Sequence, residues 1–218
     1  MLKSIIWRAA IIGVAMAAAT SASATITIGS ITPGTAVYSG PTPTFNFDPS
    51  GTALVTGGIV SNTSVSGVRA QPLGSTGNYW SVGPTDGSPG TLNLSSIGDI
   101  FNISFIWGSV DTYNTLEFLD GSNNILASFT GIQVNNPADG NQTAAATNPV
   151  VRFDLTGSDV SAFSSLRLRS TQNAFEVDNF AVNAVPEPST WAMMLIGFGV
   201  VGGAMRRRKT RVGLAQAA

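Results

Sequence analysis

The side chains with chemistry to offer are few and unevenly placed. The chain has 218 residues and neither His nor Cys, which removes imidazole bases, thiolate nucleophiles, disulfides and nearly every zinc site. Carboxylates, hydroxyls and aromatic rings remain. Glu117 and Glu176 are the only glutamates between Thr25 and Val185. A glycosidase would need two such carboxyls about 5 to 10 Å apart across a cleft, and nothing in their spacing brings them together. The same stretch has no Lys, so a Ser-Lys nucleophile is excluded there. No enzymatic activity is expected. Trp107, Tyr113 and Asn114 lie close in sequence, and Tyr79 and Trp80 follow Asn78. These types stack on sugar rings and hydrogen-bond to them; the same residues can also fill a core and make a turn, Trp80 being the one expected to stay partly exposed.

Another kind of chemistry is offered by the main chain near the C-terminus. Pro186-Glu187-Pro188 is followed by Ser189-Thr190-Trp191, an apolar run to Met205, and the cations Arg206, Arg207, Arg208 and Lys209. Two prolines fix φ and withhold two N–H donors, so the tripeptide is expected to stay extended and accessible. A helix is expected to start after it, with Ser189 or Thr190 as N-cap. Fifteen apolar residues from Trp191 make about 22 Å of helix, short for a hydrocarbon core of ~30 Å. Trp191 at one interface and snorkelling arginines at the other make such a span workable. The basic run then stays on the cytoplasmic side, and the body faces outward. A buried core helix with a solvated basic tail is the competing reading.

The other end points outward too. Lys3 and Arg8 precede an apolar stretch from Ala9 to Ala19, the order of a secretory signal peptide. Ala22 and Ala24 present small residues to a signal peptidase, which predicts passage through the Sec machinery, a signal peptide over residues 1–24 and a mature start at Thr25. Between the two ends, four arginines stand against eleven acidic residues, an excess of seven negative charges. A body this anionic repels phosphates, so no nucleic acid partner is expected.

The tail, from Pro186-Glu187-Pro188 through Gly197-Phe198-Gly199 to Arg206-Arg207-Arg208, closely resembles the PEP-CTERM sorting signal of Gram-negative bacteria, over residues 185–211, with 212–218 as a short tail. The resemblance implies an exosortase as partner, a polytopic membrane enzyme that recognises the motif and cuts near it. It also implies transient anchoring in the inner membrane by a single transmembrane helix, and delivery to the cell surface or to the extracellular matrix of a biofilm. Pro186, Glu187, Pro188 and Trp191 are then substrate features, with Glu187 the charged recognition contact. The segment Trp107 to Phe118 resembles one recurrent in surface proteins of this family, for which extracellular polysaccharide is a candidate ligand.

The body, residues 25–184, is rich in Gly, Ser, Thr and Asn, and its apolar residues alternate with period two. Phe101, Ile103, Phe105 and Trp107 share one parity. Val151, Phe153 and Leu155 alternate with Arg152 and Asp154; Leu166 and Leu168 alternate with Arg167 and Arg169. Weaker strands are expected at residues 26–28, 45–47, 116–119 and 125–129, with residues 120–124 as a hairpin connection. Residues 159–163 allow one helical turn, and residues 135–148 form a long loop. Eight to ten strands of this kind predict an all-β protein, an antiparallel β-sandwich of jelly-roll type. Phe175 and Val177 lie on one parity, Phe180 and Val182 on the other, so a β-bulge is predicted at Asp178-Asn179. Residues 174–182 resemble the closing strand of jelly rolls of the carbohydrate-binding-module type, which implies Asp178 as a ligand of a structural calcium ion. Satisfaction of the backbone at the bulge and direct contact with a ligand are the alternative roles for Asp178; no other cofactor is expected.

Overall fold

The computed structural model describes residues 25–48, 51–185 and 188–210, the last as backbone alone at 188–191 and 207–210. Residues 1–24, where a signal peptide is expected, residues 49–50, Pro186, Glu187 and residues 211–218 lie outside the described residues. The strands are β1 (Thr25–Thr32), β2 (Val55–Thr56), β3 (Ile59–Ser61), β4 (Tyr79–Val82), β5 (Gly90–Asn93), β6 (Asp99–Gly108), β7 (Asn114–Asp120), β8 (Ile125–Thr130), β9 (Val150–Thr156), β10 (Phe163–Ser170) and β11 (Phe175–Val185). Single helical turns α1 (Gly131–Val134) and α2 (Asp159–Ala162) interrupt them, and α3 (Pro188–Thr210) closes the chain.

The strands form two antiparallel sheets, one ordered β1-β9-β6-β11-β4-β3, the other β2-β5-β10-β7-β8. Strands β4 to β11 alone give β4-β11-β6-β9 over β5-β10-β7-β8, the double Greek key of a jelly roll; β1, β2 and β3 lengthen the edges. Alternation is what binds the two layers. Val151, Phe153 and Leu155 of β9, and Leu166 and Leu168 of β10, point into one core. Phe118 of β7 meets Phe153 of the opposite sheet with ring centroids 5.1 Å apart. Phe105 stacks on Phe153 at 5.9 Å and on Phe180 at 4.8 Å. Burying each such ring stabilises the fold by roughly 1.5–3 kcal/mol.

The bulge appears where the parity of β11 changes. The register between β11 and β6 slips between Asp178 and Ala181, and Asn179 takes a left-handed φ of 56°. Phe175, Val177 and Phe180 thereby all reach the core. The hairpin at residues 120–124 is also as expected: Asn123 has φ 65°, and Asp120 accepts hydrogen bonds from the N–H groups of Ser122 and Asn124, both at 2.8 Å.

Two expectations need correction. Phe101 is exposed while Ile100 is buried. A second register slip, opposite Asn183 and Ala184, shifts the parity of β6 at this end. Residues 45–47 form no strand; Phe45 instead makes an isolated bridge to Phe180, and both Phe45 and Phe47 enter the core. The long loop expected at residues 135–148 is present, carries a 3-10 turn at Ala145–Thr147 and is pinned to the body. The buried Asn148 carboxamide oxygen accepts from the N–H groups of Leu73 and Ser109, each at 3.1 Å.

Candidate functional site

The C-terminal site is built by the junction of a strand and a helix. β11 is central in its sheet and continues to Val185, pairing there with Asp99 of β6. Pro188 is the first residue of α3. This corrects the expected start after Pro188: a proline at the first helical position loses no hydrogen bond, because that N–H has no acceptor in the helix. The helix also takes in Arg206 to Lys209 rather than ending before them. Its 23 residues give about 34 Å of backbone. Met193, Met194, Leu195, Ile196, Phe198, Val200, Val201 and Met205 are all exposed, and a Cβ added at Gly197, Gly199, Gly202 or Gly203 would meet nothing within 4 Å. From Met193 to Met205 the apolar side chains of α3 are thus exposed on every side of the helix. Among the described residues, no helix is long and apolar enough to cross a membrane.

A second site lies at the opposite end of the sandwich, a polar cleft of ≈ 170 Å³. Ser109, Asp111 and Tyr113 reach it from the turn after β6, Asp139 from the long loop, Arg69 from the segment before β4, and Glu176 from β11. The loop is held against this turn by Val110 N–H donating to Thr147 O at 2.7 Å and Gly140 N–H to Val110 O at 3.0 Å. Glu176 is 2% exposed. One of its oxygens accepts from Ala70 N–H at 2.9 Å, the other from the Ser109 hydroxyl at 2.8 Å. Burial pushes its carboxyl up to about 7, the hydrogen bonds opposing and the charge of Asp111 adding. Burial likewise raises Asp111, with Asp139 adding to it. Arg69 donates to Asp86 at 2.6 Å, while its buried Nε meets no acceptor. Tyr113 donates its hydroxyl to Asn173 O at 2.9 Å.

Of the residues expected to touch sugars, Trp107 and Trp80 are 0% exposed. Trp107 follows Ile103 and Phe105 on the core face of β6 and stacks on Phe175 at 4.3 Å. Trp80 donates its indole N–H to Gly57 O at 3.0 Å and lies against Gly90, where an added Cβ would stand 2.5 Å from the indole. Tyr79 and Asn114 are buried too, Asn114 accepting from the Ser170 hydroxyl at 2.9 Å. Tyr113 alone faces a cleft. Nothing in the sequence spacing singles out Arg69, Asp139 or Asn173, or pairs Glu176 with them. Glu117 instead sits on the other sheet between Arg167 and Arg169.

Asp178 is buried at the bulge. One oxygen accepts from the Ser75 hydroxyl at 2.7 Å; the other has no partner. Burial pushes the carboxyl up to about 6, with the Ser75 and Asn179 hydrogen bonds opposing and Asp48 adding. Calcium takes six to eight oxygens. Among the described residues, no group of three or more His, Cys, Asp or Glu side chains is gathered here, and Asp178 offers one buried oxygen without a partner.

No curated protein and no solved structure matches the chain. The family model of the PEP-CTERM protein-sorting motif matches residues 184–209, a stretch that begins on the last paired residues of β11 and covers nearly all of α3. The chain carries a PEP-CTERM motif, the address of an exported protein sorted through exosortase, attached without a spacer to the closing strand of a β-sandwich.

Proposed function

We propose that the protein is exported behind a cleaved signal peptide, is held briefly in the inner membrane by α3, and is cut by exosortase near Pro186 to Pro188. The product is a cell-surface or matrix protein with a non-enzymatic sandwich body. The observation that carries this reading is the exposed apolar stretch of helix, Met193 to Met205, behind the matched motif. A helix hydrophobic on all faces belongs in a core or a bilayer, and this one is outside the core. Its apolar stretch of about 22 Å is short for a ~30 Å hydrocarbon core, and Trp191 at one end with the basic residues of the last turn at the other makes such a span workable with the body outside. In the cleft, Glu176 is held by Ala70 and Ser109, which ties it to loop closure rather than to a reacting group. An exosortase-deleted strain is expected to retain a membrane-bound precursor with its basic tail. Identical mature mass and location in both strains would reject the proposal. Pro188→Leu and Glu187→Ala are expected to slow processing while leaving the fold intact.

A second reading, a carbohydrate-binding module, draws on the cleft. Pairing of Thr25 with Thr156, Asp154 with Asn102 and Ala184 with Ile100 puts the start of β1 and the end of β11 at one end of the same sheet. The cleft lies at the other end, around Glu176 and its partner Gly108. A body tethered by α3 therefore presents the cleft away from the bilayer, with Tyr113, Asp111 and Arg69 as hydrogen-bonding groups for hydroxyls. A polysaccharide screen on the exported body, with Tyr113→Ala as control, tests it: saturable binding lost in the variant supports the module, and no binding leaves the structural role.

A further inference from the structure

The motif has almost no free chain around it. Two residues, 186 and 187, separate the last residue of β11 from the first of α3, so those two ends are at most about 11 Å apart along the chain. An enzyme that cuts a main chain must clasp residues on both sides of the bond as an extended, unpaired segment. On the C-terminal side the backbone is helical from Pro188. On the N-terminal side, Ala184 and Val185 pair with Ile100 and Asp99 of β6.

That pairing is built to open. The register slips between Asn183 and Ala184, Asn183 and Val185 are exposed, and Ala184 is half-buried. On its other side β11 pairs with β4 only over Phe175 to Val177, and Thr44 and Phe45 support it only as far as Val182. Among the described residues, β6 is thus the one strand holding residues 183–185.

We infer that the end of β11 controls access to the sorting motif: residues 183–185 must peel from β6 before the motif can be cut, so exosortase acts on a frayed strand end and not on the closed sandwich. The inference rests on the proposed cleavage near Pro186 to Pro188. Rupture past Val182 is resisted by Phe180, which is stacked on Phe105 and Phe45, so peeling stops there and the body stays folded.

A cross-strand staple tests it. Asp99 and Val185 are directly paired and exposed, antiparallel neighbours lie within disulfide range, and the native chain has no Cys to mispair. The double variant Asp99→Cys with Val185→Cys, made as full chain in exosortase-competent cells, loses two protons and two electrons to a thiol oxidant as its disulfide closes. The oxidised protein is expected to be processed at least about tenfold more slowly than wild type, equivalent to ~1.4 kcal/mol, and dithiothreitol should restore the rate. Each single Cys variant should be processed normally. Inserting Gly-Ser-Gly-Ser between Val185 and Pro186 of the stapled protein should also restore processing, because the slack frees the motif with the strand still pinned. Normal processing of the stapled form overturns the inference, as does failure of the insertion to rescue it. Failure of the proposed cleavage itself is separate: wild type would then be unprocessed in the same cells.

Discussion

Replacing Glu176 by Gln should flatten the pH dependence of stability. The carboxyl is buried and rises from 4.5 to about 7 in the folded protein, with desolvation the largest cause. At about 1.4 kcal/mol per tenfold change in proton affinity, this is on the order of 3 kcal/mol. The sign follows from which state holds the proton more tightly. The folded state does, so the contribution is fully present below the unfolded value of 4.5. It is lost as pH rises through about 7. Gln keeps the oxygen that accepts from Ala70 and offers an amide to the Ser109 oxygen, with no charge to desolvate. Glu176→Gln should therefore match wild type near pH 4 and exceed it near pH 8 by up to about 3 kcal/mol. Every member of the core cluster lies between Ile26 and Phe180, so residues 25–185 can be studied as a unit. Trp80 and Trp107, both in the core, report its unfolding by fluorescence. With a urea dependence of about 2 kcal/mol per molar, the variant's midpoint at pH 8 should stand on the order of 1 M higher. Parallel pH profiles for the two proteins would show that the Glu176 carboxyl is not what titrates.

Other outcomes follow from the same strand. Asp178, pushed up to about 6 by burial, should make stability fall further between pH 4 and 6, and Asp178→Asn should remove that part. Calcium and a chelator should give the same melting temperature; a calcium-dependent rise abolished by Asp178→Asn would establish a coordination site instead. Asn179 holds a left-handed φ at the bulge, so Asn179→Gly should be near neutral in a urea melt, while Asn179→Val should cost at least about 1–2 kcal/mol. Phe180→Ala empties a fully buried ring site and should cost about 3–5 kcal/mol.

How much of this was legible in the sequence depended on how local each feature is. Alternation over β9 and β10 is set by neighbours two residues apart and can be read directly. The bulge could be read because Phe175, Val177, Phe180 and Val182 need one core and a two-residue period cannot give it. Phe101 misled because its parity is reset by a slip opposite Ala184, more than eighty residues away. Trp107 and Trp80 were ambiguous for a different reason: a ring that stacks on a sugar and a ring that stacks on Phe175 are the same residue type. Only strand order places Trp107 on the inner face of a central strand and Trp80 beneath Gly90. The cleft was the least legible feature. Arg69, Asp111, Asp139 and Glu176 come from four separate segments joined by loop contacts, and no spacing rule relates them. The sorting motif lies at the other extreme, because a membrane enzyme meets it as a linear peptide, so its recognition features are consecutive in sequence. The structural state of the chain on either side of that peptide is not written in its linear sequence. Val185 is still a paired strand residue and Pro188 already a helical one, so a motif that reads as free chain is held by structure on both sides until one side gives way.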